Sequence, residues 1–263
     1  INNLDKTGQR IVLVIDDKKN FVGTVNDGDI RRALIKHEDL NMAIEQVCFK
    51  DFVYEYEQEN FIQLDHFRKK NINILPLLRE DKTLSRLIDL KKSKSIIPIE
   101  CMIMAGGRGK RLSPLTDKIP KPMLPLNGKP IIEYNIDRLI SYGIKKIYIS
   151  VKYLGEQIQD YFGDGSSKGI EIEYVWEDNA LGTAGALSLV NEFKSDHILL
   201  LNSDLFTNVN IEEMYLKLVN NNADLVVAST EYKIDVPYAV FECDSKKVRS
   251  LKEKPSYTYY SNA

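Results

Sequence analysis

The 263-residue sequence predicts an α/β fold, with a doubly wound, mostly parallel sheet in its second half and a small α+β region before it. Two observations lead there. From Cys101 onward, short β-branched runs alternate with helical stretches, and before Lys91 a strand–turn–strand pattern occurs twice. A chain of this length exceeds one typical domain of ~100 to 150 residues, so two domains are expected, at 1–95 and 96–263.

In the first half, "RIVLVIDDKKNFVGTVN" reads as a hairpin: an apolar strand Ile11 to Ile15, a polar turn Asp16 to Asn20 and a strand Phe21 to Val25. "NDGDIRRALIKH" then predicts a helix, with Asn26 as its cap, Asp29 in its first turn, and Ile30, Ala33, Leu34 and His37 at helical spacing. "INILPLLREDKTLSRLIDL", Ile72 to Leu90, is a weaker second copy. The polar, Pro98-interrupted "KKSKSIIPIE" marks the joint.

In the second half, strands are expected at Cys101 to Ala105, Lys146 to Val151, Ile170 to Trp176, His197 to Leu201 and Leu225 to Thr230. The clearest helix is Pro130 to Tyr142. Proline suits its first turn, Ile132, Ile136, Leu139 and Ile140 share one face, and Gly143 can end it.

Composition excludes several classes of function. Charged residues are 28% of the chain but the net charge is −2, so there is no global basic field and no expectation of nucleic acid as a partner. Cys48, Cys101 and Cys243 are odd in number and lack a CxxC pair, which argues against a disulfide framework or zinc site and for a reducing cytoplasm. No apolar run approaches the ~20 residues of a membrane-spanning helix. The chain starts without Met, in what reads as the middle of a helix, and stops at Ala263 without a stop signal, so we expect it to be part of a longer protein.

The chemistry is expected at the carboxyl ends of the parallel strands. "MAGGRGKRLSPLTDKIPKPMLPL" follows the first of them. Gly106, Gly107 and Gly109 allow the backbone to approach an anion, and Arg108, Lys110, Arg111 and Lys121 bring charge. Arg111 stands where the Walker phosphate loop requires Ser or Thr, and Leu112 where a dinucleotide fingerprint requires its third glycine. Prolines 114, 120, 122 and 125 stiffen the chain around Lys121, which favours a held anion over a solvated turn. "HILLLNSDLF" releases Asp204 at another strand end, where a carboxylate beside phosphates suits Mg²⁺; taken alone it equally fits a helix cap. "WEDNALGTAGAL" closes a strand with Glu177 and sets Gly182 and Thr183 at a helix start with room for a flat ring, or merely for tight packing. "VRSLKEKPS" puts Glu253 and Lys254 before Pro255.

Together "AGGRGKRLSPLT", "PKPMLPL", "LGTAGAL", "NSD" and "EKP" resemble, in order and spacing, the sugar-1-phosphate nucleotidyltransferase family, over Pro98 to Ala263. The likeness is nearest to mannose-1-phosphate guanylyltransferases. "GTVNDGD" in the first half resembles the ribose-contact motif of a cystathionine β-synthase (CBS) domain pair, with Arg86 where the second copy's glycine belongs.

The resemblance implies a Rossmann-like nucleotidyltransferase domain after a small CBS pair. It implies transfer of a nucleotidyl group from a nucleoside triphosphate to a sugar-1-phosphate, with GTP expected and thymidylyl or uridylyl transfer as the open alternatives. Arg111 and Lys121 would be catalytic, and Ala105, Gly106, Gly107, Gly109, Glu177, Gly182 and Thr183 would bind nucleotide. Asp204 would hold Mg²⁺, Glu253 and Lys254 the sugar phosphate, and Asp29 an adenine nucleotide in the CBS pair. A homo-oligomer is expected, without membrane or nucleic-acid partners. The family's second metal-binding aspartate is expected beyond Ala263. The competing expectation is an adenine-nucleotide sensor with a non-catalytic α/β half; retention of Arg111, Lys121 and Asp204 weighs against it.

Overall fold

The computed structural model describes residues 11–37, 42–57, 61–179, 181–182 and 184–262. It contains two compact units, Ile1–Phe206 and Thr207–Ala263.

The first unit opens with the expected hairpin of β1 (Ile11–Ile15) and β2 (Phe21–Asn26), which leads into α1 (Asp27–His37). After α2 (Ile44–Val47), β3 (Glu55–Tyr56) and α3 (Asp65–Lys69), a second hairpin forms from β4 (Ile74–Leu78) and β5 (Leu84–Asp89). The repeat extends to the turns. Asp16 N–H donates to Asn20 O at 3.0 Å and Arg79 N–H to Thr83 O at 2.9 Å. Lys19 and Lys82 both adopt left-handed backbone, at φ 66° and 65°. An antiparallel bridge, Asn20 to Thr83, joins the two turns.

The copies differ where the sequence does. A Cβ on Gly23 would lie 2.5 Å from Phe49 O, so only glycine fits there, whereas Arg86 turns its guanidinium to Glu57, 3.0 Å away. Leu64, Phe67, Leu75, Leu77, Ile88, Leu90 and Ile96 form the core of the second copy.

The chain then enters a parallel sheet of β6 (Glu100–Met104), β9 (Lys146–Val151), β10 (Glu171–Trp176) and β11 (Ile198–Asn202), in spatial order β10-β9-β6-β11. A small hairpin, β7 (Pro125–Leu126) and β8 (Lys129–Pro130), precedes α4 (Ile131–Ser141), and α5 (Gly155–Phe162) links β9 towards β10. Met102, Ile103, Ile147, Ile149 and Val151 are fully buried, as β-branched and other apolar strand residues should be in a parallel sheet. Helix α4 buries Ile132, Ile136 and Leu139 as expected.

Gly143 ends α4 at φ 77°, and a Cβ there would meet Ile96 Cα at 3.0 Å and Ser95 O at 3.3 Å. Ile97 N–H donates to Tyr142 O at 3.0 Å, so this glycine lets the joint segment pack on the helix end. Across α4, Lys168 Nζ donates to both Glu133 and Asp137 at 2.7 Å.

In the second unit, α6 (Ile211–Asn220) is capped by the Asn210 side chain, which accepts from Glu213 N–H at 3.3 Å. Two antiparallel ribbons follow: β12 (Ser229–Asp235) with β15 (Ser256–Asn262), and β13 (Val240–Asp244) with β14 (Lys247–Lys252). The strand expected over Leu225 to Thr230 is corrected: pairing starts only at Ser229 and is antiparallel. Leu225 and Val227 are 75% and 56% exposed, and an apolar run becomes a strand only where another strand supplies its hydrogen bonds. Among the described residues, no helix is long and apolar enough to cross a membrane.

Two stability outcomes are expected. Gly143→Ala puts a side chain on left-handed backbone against main-chain atoms, and should lower the unfolding free energy by about 1–3 kcal/mol in urea titration. Burial alone would raise the Glu133 and Asp137 carboxyls, but hydrogen bonds and charge from Lys168, with Tyr161 or Lys129, outweigh it and hold both below their ordinary values of 4.5 and 3.8. Depressed carboxyls stabilise the fold fully above those unfolded values, and the contribution is lost as pH falls through the folded ones. Lys168→Met should therefore flatten the loss of stability on acidification below about pH 4.5.

Candidate functional site

The sheet order creates one place where neighbouring strands leave for opposite sides. The chain goes from β6 outward to β9 and β10, then returns to add β11 on the far side of β6. The loops after β6 and β11 therefore diverge, opening a crevice at their carboxyl ends. A cavity of about 320 Å³ lies there, lined among others by Ala105, Gly107, Gly109, Arg111, Lys121 and Asp204.

Each wall is fixed by an identifiable contact. Ala105 N–H donates to Ser150 O at 2.9 Å, which carries the β6–β9 ladder into the glycine loop. Gly109 sits at φ 66°, and its added Cβ would fall 3.0 Å from both Lys121 Cβ and Thr116 Cγ2, so a bare backbone is needed where the loop crosses the lysine. Buried Thr116 donates its hydroxyl to Gly109 O at 3.0 Å. Tyr153 OH and Gln157 Nε2 donate to Asp117 O and Lys118 O, each at 2.9 Å, tethering the loop to α5.

On the opposite wall, Ser203 N–H donates to Met104 O at 3.1 Å and Ser203 O accepts from buried Asn135 at 3.1 Å. Asp204 follows immediately. Its carboxylate is ion-paired with Lys121 Nζ, and both side chains are about one-third exposed. Arg111, on the short 3₁₀ turn Lys110–Leu112, is exposed at the cavity mouth.

Glu177 follows β10 directly and is buried. Its carboxylate accepts from the Ser150 hydroxyl and from Leu181 N–H at 3.3 Å. A Cβ on Gly106 would lie 3.1 Å from Glu177 Oε1, so the carboxylate adjoins the glycine loop. Gly182, at φ 79°, is exposed in the loop that follows, and Thr183 lies outside the described residues. The helix expected after this loop is a 3₁₀ segment, Gly185–Leu189.

Glu253 and Lys254 belong to the second unit, in the turn between β14 and β15. Lys254 holds φ 44° directly before Pro255, a position where side chains strongly favour extended backbone.

Asp29, on α1, accepts from Asn26 N–H at 2.9 Å while Asn26 Oδ1 accepts from Asp29 N–H at 3.0 Å, a reciprocal cap completed by an ion pair to Arg32. Asn26, but not Asp29, lines a second cavity of about 730 Å³ in this half, with Thr24, Asn71, Asn73 and Asp89.

Sequence reading missed Ser150, Asn135 and Thr116. A serine inside "KIYISV" and an asparagine on the buried face of "IIEYNIDRLI" are the local signals, since a polar group in an apolar pattern needs a partner. No group of three or more His, Cys, Asp or Glu that could hold a metal ion occurs among the described residues.

A model of the nucleotidyl transferase family matches residues 100–263. The UTP–glucose-1-phosphate uridylyltransferase of Synechocystis is 31% identical over 174 residues, 60% of this chain and 45% of that protein. Mannose-1-phosphate guanylyltransferase of Mycobacterium tuberculosis is 32% identical over 130 residues, 49% of this chain and 36% of that protein. D-glycero-alpha-D-manno-heptose 1-phosphate guanylyltransferase of Aneurinibacillus thermoaerophilus is 32% identical over 157 residues, 59% of this chain and 68% of that protein. The chain thus spans less than half the length of the first two.

The loop geometry separates two glycines experimentally. Gly109→Ala should weaken binding of inorganic triphosphate about tenfold or more in calorimetry, since left-handed strain and the Lys121 contact both oppose it. Gly107→Ala, whose Cβ meets nothing within 4 Å, should leave the fold intact, with an unchanged melting temperature.

Proposed function

The chain belongs to the nucleotidyl transferase family, and from that premise we propose that the protein transfers a nucleotidyl group from a nucleoside triphosphate to a sugar-1-phosphate. The observation that carries this reading is the single cavity shared by the glycine loop, Arg111, Lys121 and Asp204. An oxygen of the sugar phosphate attacks the α-phosphorus in line. The bond to the bridging oxygen of the β-phosphate breaks, and pyrophosphate leaves with the electron pair. No proton need move on the protein, so catalysis is positioning plus charge stabilisation.

The backbone donors of the Gly106–Gly109 turn and the Arg111 guanidinium hold the triphosphate and take up the charge that grows on pyrophosphate. Lys121 bridges the reacting phosphates. Asp204 fits one mode of Mg²⁺ binding, in which one or two carboxylates suffice because phosphate oxygens and water complete the shell. Bound there, Mg²⁺ would neutralise phosphate charge. Glu253 and Lys254 are assigned to the sugar phosphate on the match of "EKP" to the family's motif.

Glu177 supports GTP as the donor. An ionised carboxylate only accepts hydrogen bonds. Guanine presents N1–H and its 2-amino group side by side, whereas uracil or thymine presents one N–H between two carbonyls. Ala105, Gly106, Gly182 and Thr183 complete the nucleotide's surroundings in this reading.

In the same reading residues 96–263 are catalytic and 1–95 are a regulatory CBS pair. The 730 Å³ cavity lined by Asn26 favours a ligand in the second part. An adenine nucleotide, with Asp29 as its ribose contact, belongs to the same reading on the strength of the "GTVNDGD" motif alone, since Asp29 is not among the residues that line the cavity. Assembly into a homo-oligomer in the cytoplasm belongs to the proposal too.

Lys121→Ala in the full-length protein should lower turnover by ~10² or more, the scale of one preorganised donor. Asp204→Asn should raise the Mg²⁺ concentration needed for half-maximal nucleotide binding while the melting temperature stays within a few degrees. Near-normal turnover in the first variant, or unchanged Mg²⁺ dependence in the second, contradicts these roles.

A further inference from the structure

We propose that Ser150 is a positioning residue that aims the Glu177 carboxylate at the base of the nucleotide; this rests on the base-reading role given to Glu177 above. Ser150 stands in β9 between Ile149 and Val151 and is fully buried. Its carbonyl takes the Ala105 N–H that starts the glycine loop, and its hydroxyl donates to Glu177 Oε1, beside the loop that carries Gly182. One residue thus touches both ligand-facing loops.

The need for such a residue follows from the chemistry of the carboxylate. Glu177 is 8% exposed, so water does little to orient it. It has about four acceptor positions, and its hydrogen bonds come from Ser150 Oγ and from Leu181 N–H. The Gly106 backbone lies against Oε1, where even an added methyl group would come within 3.1 Å. The serine holds Oε1 and Leu181 N–H holds Oε2, so the carboxylate is fixed at both oxygens and each keeps acceptor capacity beyond its one hydrogen bond. Without the hydroxyl, a buried anion retains one backbone donor and gains by turning to water. An apolar residue would fill the same space in β9 but could not set this orientation.

The test is calorimetric titration of GTP and UTP into the full-length protein. Ser150→Ala should weaken GTP binding about tenfold, the scale of a hydrogen bond to a charged group, and lower the GTP-to-UTP preference with it. Ser150→Thr, which keeps the hydroxyl, should recover most of that preference. In a Glu177→Ala background, Ser150→Ala should cause no further loss. Equal losses in both backgrounds, or weaker binding with an unchanged preference, would reduce Ser150 to a packing residue and overturn the proposal. Should Ser150→Ala fail to fold, Ser150→Cys has similar volume with a weak donor and carries the same test. If Glu177→Ala leaves GTP binding intact, or the unaltered protein does not bind GTP, the base reading itself falls and the Ser150 role with it. If Glu177→Ala weakens GTP binding and Ser150→Ala does not, only the Ser150 role fails.

Discussion

The parallel pairing of β11 with β6, on the edge of β6 that β9 does not use, is the constraint on which the site depends. It sets Asn202 opposite Met104 in register, so the two chains leave the sheet at the same level. One becomes the glycine loop and the other delivers Asp204. Ser203 N–H on Met104 O and Asn135 on Ser203 O fix where the second chain turns. The Lys121–Asp204 ion pair then closes the crevice between residues 83 positions apart in sequence. Were β11 to pair elsewhere, the glycine loop would keep its cations and lose the carboxylate that balances them.

That carboxylate–lysine pair is held loosely enough to suit the anion-binding role proposed for it. Two opposite charges that are one-third exposed attract only modestly through water, so each can exchange its partner for a phosphate or a metal ion at small cost. A deeply buried pair would be far harder to separate. Around this adjustable pair the scaffold is stiff, with Thr116, Tyr153 and Gln157 each bonded to loop carbonyls. A rigid frame that presents exchangeable charges is what in-line phosphoryl chemistry requires.

Much of this was legible in the sequence because it is local. The hairpin at Ile11 to Val25, the helix near Pro130 to Tyr142 and the strand Lys146 to Val151 follow from patterns confined to a dozen residues, and they occur with small shifts at their ends. The glycine loop, Arg111, Lys121 and Asp204 converge in one cavity because strand-end logic applies to each separately. What could not be read depends on partners distant in sequence. Leu225 and Val227 have strand-like side chains but no ladder partner among the described residues. Ser150 reads as an ordinary strand residue until Glu177, 27 positions later, is seen beside it. Asp29 matched a ligand motif, yet its local bonds to Asn26 and Arg32 already occupy much of its carboxylate.

The proposed function stands on nucleotidyl transfer from a triphosphate to a sugar phosphate at the β6–β11 crevice. It is tested most directly by incubating the full-length protein and Mg²⁺ with GTP, UTP or dTTP, each with and without a sugar-1-phosphate such as mannose-1-phosphate or glucose-1-phosphate, and measuring pyrophosphate. Pyrophosphate should be released only when both substrates are present, in step with a nucleotide sugar and fastest with GTP. Pyrophosphate that appears equally without the sugar phosphate, or none with any pair, would contradict it.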